Sequence, residues 1–195
     1  MKILILGGTL FIGKRFVESV QNKNYNITLA NRGISGKADI KIDRNDIQSC
    51  KNLNNNYYDV VIDFSCYKLE QLTNVLQNIK FNKYIFISTS GVDFLPFRNV
   101  DPQDYEMAAY IFNKKKCEDY IIENISNYNI IRPCYVVGDG DYTNRFYKSG
   151  VKYYWKNGTE LTFYIEVDEL INIINNTLNA QESSIIRPCS GREGS

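Results

Sequence analysis

Residues 2–13 read Lys-Ile-Leu-Ile-Leu-Gly-Gly-Thr-Leu-Phe-Ile-Gly, an apolar run that ends in glycines. The run has the length and composition of a buried strand, and Phe11, Ile12, Phe16, Val17 and Val20 recur at helical spacing after it. A strand that turns through glycine into a helix start makes a phosphate site. The glycines let the turn tighten and the backbone approach a pyrophosphate, and the helix N-terminus supplies N–H groups and positive potential. The ligand this pattern implies is a dinucleotide.

The rest of the chain repeats the same alternation. Asn26–Ala30 reads as a second strand, Ile40 and Ile42 mark a short third, Asp59–Phe64 a fourth and Lys83–Ser88 a fifth. Leu69, Leu72, Val75, Leu76 and Ile79 form one helix face between the last two. A long helix is predicted from Asp104 to Asn124, with Tyr105 available for packing. A sixth strand follows from Asn129 to Val137, interrupted by Pro133, and a last helix runs from about Glu166 to Leu178. Alternating strands and helices indicate βαβ units, hence an α/β fold with a doubly wound parallel sheet in the order 3-2-1-4-5-6. Beyond Gly138 the alternation stops, so residues 1–138 are predicted as the main domain and 139–195 as a small appended lobe. Ile-Ile-Arg-Pro-Cys occurs at both 130–134 and 185–189. Five residues are far short of a repeating unit, and the identity is read as coincidence.

Composition excludes several functions. At 195 residues the chain can bury one good core. Its net charge of +1 gives no field of the kind nucleic-acid binding uses, so nucleic acid is not an expected partner. There is no histidine, and Cys50, Cys66, Cys117, Cys134 and Cys189 are scattered without a C-x-x-C pair, so no metal site is expected. An odd number of dispersed cysteines fits reduced thiols in a cytoplasm. No apolar stretch approaches the ~20 residues a membrane span needs. The expected partner is a small-molecule substrate, and a homodimer is a further expectation.

Tyr110 and Lys114 stand four apart on the long predicted helix, so their side chains emerge on one face about one turn apart. A nearby ammonium favours ionisation of a phenol whose ordinary pKa is ~10, which suits the phenol to acid/base work. The pair follows a strand that ends in Ser88-Thr89-Ser90, and ligands of parallel sheets sit at the carboxyl ends of strands.

With these motifs in this order, residues 1 to about 180 resemble the extended short-chain dehydrogenase/reductase superfamily, in its NAD(P)-dependent epimerase/dehydratase branch. Gly7 to Gly13 matches the glycine turn, Asp43-Arg44 the acidic adenine contact after the third strand, and Ile87 to Val92 the Ser/Thr position after the fifth. Tyr110-Ile-Phe-Asn-Lys114 matches the catalytic pair, with Glu118 at its usual distance. Arg132-Pro133 through Gly138-Asp139-Gly140-Asp141 resembles the stretch that opens the substrate lobe. Leu10, where a middle glycine is expected, resembles the Gly-Gly-Thr-x-Phe-Ile-Gly form of a subgroup that includes the chloroplast stem-loop-binding proteins.

The resemblance implies a Rossmann-like fold and roles for these positions. Tyr110 becomes the acid/base at a substrate hydroxyl, and Lys114 lowers its pKa and binds the nicotinamide ribose. Thr89 holds the substrate oxygen, with Ser88 and Ser90 as alternatives; Ser88 is also placed near the cofactor. Gly7, Thr9, Leu10, Phe11, Ile12 and Gly13 cradle the pyrophosphate, and Asp43 and Arg44 face the adenine. Ser90, Arg132, Asp141 and Arg145 are the candidate substrate contacts. At the end of the second strand the chain has Ala30-Asn31-Arg32 where an NAD site would carry an acidic residue. With Lys14 and Arg15 near the turn, Asn31 and Arg32 favour NADP over NAD. The implied function is hydride-transfer chemistry on a small hydroxylated substrate, with a nucleotide sugar as the expected class. A short lobe also allows a protein that binds NAD(P) and turns nothing over, a sensor or scaffold.

Overall fold

A computed structural model describes residues 1–97 and 106–189. The chain begins with β1 (Lys2–Leu6), in which Ile3 to Leu6 are all fully buried, and turns at Gly7 into α1 (Phe11–Val20). It continues through β2 (Asn26–Asn31), β3 (Ile40–Lys41), the single turn α2 (Ile47–Cys50) and β4 (Asn56–Asp63). Then come α3 (Leu69–Leu76), β5 (Ile79–Ile87), α4 (Glu106–Asn124) and β6 (Tyr128–Ile131). Four short strands follow: β7 (Tyr135–Val137), β8 (Phe146–Ser149), β9 (Lys152–Trp155) and β10 (Tyr164–Glu166). The chain closes with α5 (Val167–Thr177) and β11 (Ser184–Ile186).

Seven strands form one parallel sheet in the order β11-β6-β5-β4-β1-β2-β3, so the predicted 3-2-1-4-5-6 order is present with β11 added beyond β6. Side-chain alternation sorts the strand residues between two helical layers. Leu4, Leu6, Val61, Tyr84, Phe86 and Ile130 face the layer that contains Cys117 and Ile121 of α4. Ile3, Ile5, Val60, Ile62, Ile85 and Ile131 face the layer built from Phe16 of α1 and Leu170, Ile171 and Ile174 of α5.

Boundaries differ from the sequence reading where a tertiary partner decides them. Ile79 opens β5 opposite Asn56 instead of closing the preceding helix, and β4 begins three residues before Asp59. The turn into β4 uses Asn54 and Asn55 at φ of 56° and 52°, which asparagine tolerates better than most residues. Pro133 lacks an N–H, and past it the chain leaves the main sheet, so the expected sixth strand is two: β6 stays and β7 pairs with β10. Asp104 and Tyr105, placed in the long helix by the sequence reading, lie outside the described residues, as do residues 190–195 of the expected lobe.

The two Ile-Ile-Arg-Pro-Cys copies are not incidental to the structure. They lie side by side, with Ile130 opposite Ile185 and Ile131 opposite Ile186, and Arg132 N donates to Ile186 O at 2.8 Å. The chain after Gly138 therefore does not all stand apart, since α5 packs on α1 and β11 joins the sheet. What stands off the main sheet is β7 to β10, where Tyr135, Phe146 and Trp155 pack ring against ring with centroids 4.8–5.6 Å apart.

The tightest glycine contact among the described residues is between α1 and the end of β1. A Cβ built on Gly13 would stand 2.2 Å from Gly7 O, a backbone atom that cannot move without opening the turn. Gly13→Ala should therefore destabilise the protein by about 1–3 kcal/mol, read as a lower urea midpoint. Gly150, at φ +60° with nothing within 4 Å of a built Cβ, is the control. Gly150→Ala carries only the left-handed backbone cost of about 1–2 kcal/mol.

Candidate functional site

The turn between β1 and α1 leaves helix amides free. Leu10 occupies the N-cap and makes no side-chain cap, and the first turn of α1 has no acidic residue. The opening N–H groups of a helix have no partner within it, and here no side chain serves them. Gly7, at φ +85°, lies against Ser65: its built Cβ would stand 2.6 Å from Ser65 Cβ. Phe11 takes a φ of +35° at the first helical position, and Gly140 of the loop after β7 lies over its ring. The turn thus leaves uncapped backbone amides at the carboxyl edge of the sheet, which is what a pyrophosphate requires.

The loop after β2 folds toward this turn. Thr9 Oγ1 and Ser35 Oγ are hydrogen-bonded at 2.6 Å, and Asn31 ties the loop with its Nδ2 donating to Lys37 O and its Oδ1 accepting from Gly33 N. Arg32 is exposed there, with no ion pair or hydrogen bond to its side chain among the described residues. The two other cations near the turn are already engaged. Arg15 forks onto Asp168 of α5 at 2.6 and 3.0 Å, and Lys14 lies 3.9 Å from Glu18.

Beneath the turn lies a buried polar cluster. Arg44 does not face outward toward an adenine: its guanidinium forks onto Asp63 at 2.7 and 2.6 Å and also donates to Ser65 Oγ at 3.2 Å. Tyr84 donates its hydroxyl to the same carboxylate at 2.7 Å. Burial pushes the Asp63 carboxyl up, but Arg44 and the Tyr84 hydroxyl outweigh it and hold the group below the usual carboxylate range. Arg44 Nε, also buried, has no acceptor among the described residues. Asp43 is half-buried and accepts from Asn45 N at 2.9 Å, closing its own turn.

On α4, Tyr110 and Lys114 do share a face. Lys114 Nζ lies 5.9 Å from the Tyr110 ring centroid, 5.5 Å from that of Tyr67 and 4.6 Å from that of Phe86, and it donates to Ile87 O at 2.7 Å. The ammonium is buried, and burial pushes its pKa down against the opposing effect of Cys66 and Asp63. The expected lowering of the Tyr110 pKa by Lys114 is not what the structure gives: burial pushes the phenol up, nearby Tyr67 adds to this, and Arg145 opposes it. The physical reason is desolvation: the phenol lies in a dry layer that penalises its anion. Among the described residues Thr89 Oγ1 accepts a 3.3 Å bond from Gly91 N, and the segment after it packs on Ile111, the residue next to Tyr110.

The candidate substrate contacts divide. Arg132 is buried and grips Glu118 with Nε at 3.1 and 3.2 Å and Asp93 with a terminal nitrogen at 2.5 Å, so it is a structural link and not an open contact. Ser88 is likewise buried and donates to Glu118, which removes its hydroxyl from both ligand roles. Ser90 N donates to Pro133 O. Asp141 closes its own turn by accepting from Thr143 N and Oγ1 at 2.9 and 2.6 Å. Arg145 is exposed: its Nε donates to Thr143 Oγ1 at 3.1 Å, its guanidinium lies 5.2 Å from the Phe146 centroid, and its charge acts to lower the Tyr110 pKa.

Sequence reasoning missed Ser65 and Tyr67, which follow the carboxyl end of β4. The rule that ligands gather at strand ends applied to them as it did to Thr89. It also missed Arg187, which joins Arg132 on Asp93 at 3.0 Å and could have been found from the twin Ile-Ile-Arg-Pro-Cys segments. Among the described residues no group of acidic or cysteine side chains could hold a metal ion, and no helix is long and apolar enough to cross a membrane.

No family model matches the chain. A curated relative, the chloroplast stem-loop binding protein of 41 kDa b from Arabidopsis thaliana, is 30% identical over 166 residues. The match takes in 72% of this chain and 43% of that protein, so the chain spans less than half of the relative's length. Among solved structures, UDP-glucose 4-epimerase from Thermotoga maritima with UDP-glucose superimposes with a TM-score of 0.69 at 15% identity, covering 98% of this chain and 78% of that one. UDP-glucuronic acid 4-epimerase from Bacillus cereus in complex with NAD gives 0.65 at 17% identity, with 98% and 78% covered. RMD from Pseudomonas aeruginosa complexed with NADPH gives 0.65 at 14% identity, with 98% and 79% covered. The chain has the Rossmann-like fold of these structures, and its curated relative is from the subgroup that the glycine turn resembles.

The buried fork sets a stability prediction. Asp63→Asn leaves Arg44 charged and without its partner in the interior, and should cost about 3–5 kcal/mol in urea unfolding. In wild type the Asp63 carboxyl is held low in the fold and has a pKa of ~3.9 unfolded. Its contribution is therefore complete above about pH 4 and lost as pH falls through the folded value. The Asp63→Asn variant should lose that acid limb when urea midpoints are compared across pH.

Proposed function

We propose that the chain binds NADP(H) across the carboxyl edge of its sheet and acts as an epimerase/dehydratase-like oxidoreductase on a small hydroxylated substrate, with nucleotide sugars the favoured class. The observation that carries this reading is the convergence of three elements on one edge: the uncapped amides of α1, the Thr89 segment, and the Tyr110/Lys114 face of α4. The ligands named for the neighbouring epimerases, UDP-glucose and NAD, support it.

The residues present fit a dinucleotide. Gly7 to Gly13 offer the pyrophosphate backbone N–H groups and a helix N-terminus. Arg32, unpaired on the loop that Asn31 braces, takes a 2′-phosphate through charge-assisted bonds. The nicotinamide, when bound, supplies the hydride chemistry. Lys114 would hold the nicotinamide ribose and keep its positive charge beside the Tyr110 phenol, which favours the ionised form. Tyr110 then moves a proton to or from the substrate hydroxyl while Thr89 holds that oxygen, and Arg145 meets a substrate anion.

A second reading, a dinucleotide sensor without turnover, draws on two observations: Lys114 is anchored to a backbone carbonyl, and burial pushes the Tyr110 phenol up.

Calorimetric titration should show tighter binding of NADPH than NADH, and Arg32→Ala should remove most of that preference, about tenfold or more. Equal affinities for both cofactors in both proteins would contradict the assignment. Tyr110→Phe should leave fold and cofactor affinity nearly unchanged and lower turnover by the ~10²–10⁴ of a lost proton-transfer group, measured over a panel of nucleotide sugars and simple carbonyls. Lys114→Met should weaken both turnover and cofactor binding. Cofactor binding without turnover of any panel member supports the sensor.

A further inference from the structure

The proposed chemistry leaves two buried nucleophiles unused. Cys66 lies on the loop that leaves β4 and Cys117 on α4; both are fully buried, and their sulfurs are 3.9 Å apart although 51 residues separate them in sequence. Cys66 also donates to Lys68 O at 3.3 Å, while Cys50, Cys134 and Cys189 donate to Asp43 O, Pro188 O and Tyr164 O. Burial alone makes a thiol inert, and both sulfurs lie in the apolar layer under α4, but that layer also carries charge. Arg44 and Lys114, the two buried cations under the site, both act on Cys66, with Asp63 opposing them.

The two sulfurs are also unequal. The hydrogen bond from Cys117, then the Arg44 and Lys114 charges, hold the Cys66 thiol below its ordinary value against the cost of burial. The same hydrogen bond, and then burial, push Cys117 up. One sulfur is prepared to ionise and the other to stay protonated, the division of labour between an attacking and a resolving thiol.

We propose that Cys66 and Cys117 form a redox modification site, in which hydrogen peroxide oxidises Cys66 and Cys117 closes an intramolecular disulfide that ties the β4 loop to α4. The Cys66 thiolate attacks one peroxide oxygen, the O–O bond breaks, and hydroxide leaves with a sulfenic acid formed at Cys66. The Cys117 sulfur then attacks the Cys66 sulfur, the S–O bond breaks, and water departs with the Cys117 proton. The hydroxide takes up the proton first lost by Cys66, so two thiols and one peroxide give one disulfide and two waters. A dithiol reductant restores the two thiols by exchange and is itself oxidised to a disulfide. Peroxide is small enough to arrive through a local opening of the 65–68 loop, which has no regular structure and carries the half-exposed Tyr67.

Closing the bond brings the sulfurs from 3.9 Å to about 2 Å, a change that the two side chains and the backbone of the loop and α4 must together accommodate. Ser65 on that loop abuts Gly7, and Lys114 lies one turn before Cys117 on α4. The movement therefore reaches the dinucleotide site. This consequence rests on the proposed cofactor reading; the disulfide does not.

The full chain, reduced and then freed of reductant, is treated with equimolar hydrogen peroxide and its peptides are mapped by mass spectrometry. The expected product is a cross-linked peptide pair holding Cys66 and Cys117, lost on dithiothreitol treatment. In Cys117→Ser, dimedone should label Cys66; in Cys66→Ser, Cys117 should stay a free thiol. Wild type alone decides the matter if either variant fails to fold: oxidation confined to Cys134 or Cys189, with Cys66 and Cys117 still thiols, overturns the proposal. NADPH titration of both forms tests the coupling, with roughly tenfold weaker binding expected for the disulfide form. Equal affinities overturn the coupling, and a disulfide in a chain that binds no NADPH in either form overturns the cofactor reading and leaves the redox site standing.

Discussion

The approach of Gly13 to Gly7 O is the constraint on which the rest of this structure depends. Because no side chain intervenes, the first turn of α1 comes down directly on the end of β1 and its amides point across the carboxyl edge of the sheet. An aspartate or serine at the N-cap would satisfy those amides internally. Leu10 cannot, and the unmet need is what an anionic ligand answers. A turn that reads as a deficiency in helix capping thereby supports the proposed dinucleotide site.

The second determinant is polarity inside the α4 layer. A helix on a parallel sheet ordinarily presents an apolar stripe, yet α4 buries Lys114 and Glu118 alongside Ala108, Ile111, Cys117 and Ile121. Lys114 reaches the carbonyl of Ile87, and Glu118 accepts from Ser88, the next residue, and from Arg132. One helix thus fixes the end of β5 with two opposite charges a turn apart. Asp93 extends the second network by holding Arg132 and Arg187 together, so the twin strands β6 and β11 are joined through a single carboxylate. Buried charges of this kind give little net stability but are costly to break singly, so they fix the geometry of the edge.

Much of this was legible in the sequence where the signal is local. The strand–glycine–helix opening, the parallel order of six strands and the shared face of Tyr110 and Lys114 follow from periodicity and spacing that neighbours in the chain supply. The start of β5 did not, because Ile79 fits a helix face as well as a strand and only its pairing with Asn56 decides. Nor did β11, since a three-residue strand has no period to read and exists through its register with β6. Arg44, Ser88 and Arg132 were read as ligand contacts because their positions suited it. Their inward orientation is set by Asp63 and Glu118, partners 19, 30 and 14 residues away that spacing cannot reveal.

The central claim, that the carboxyl edge is a dinucleotide site, is tested most directly by amide hydrogen exchange on the full chain with and without NADPH. The account predicts slowed exchange in residues 7–13 above all, with 31–37 and 65–68 following, and little change in the β8–β9 hairpin. Exchange in residues 7–13 that is unaltered at saturating NADPH would contradict it.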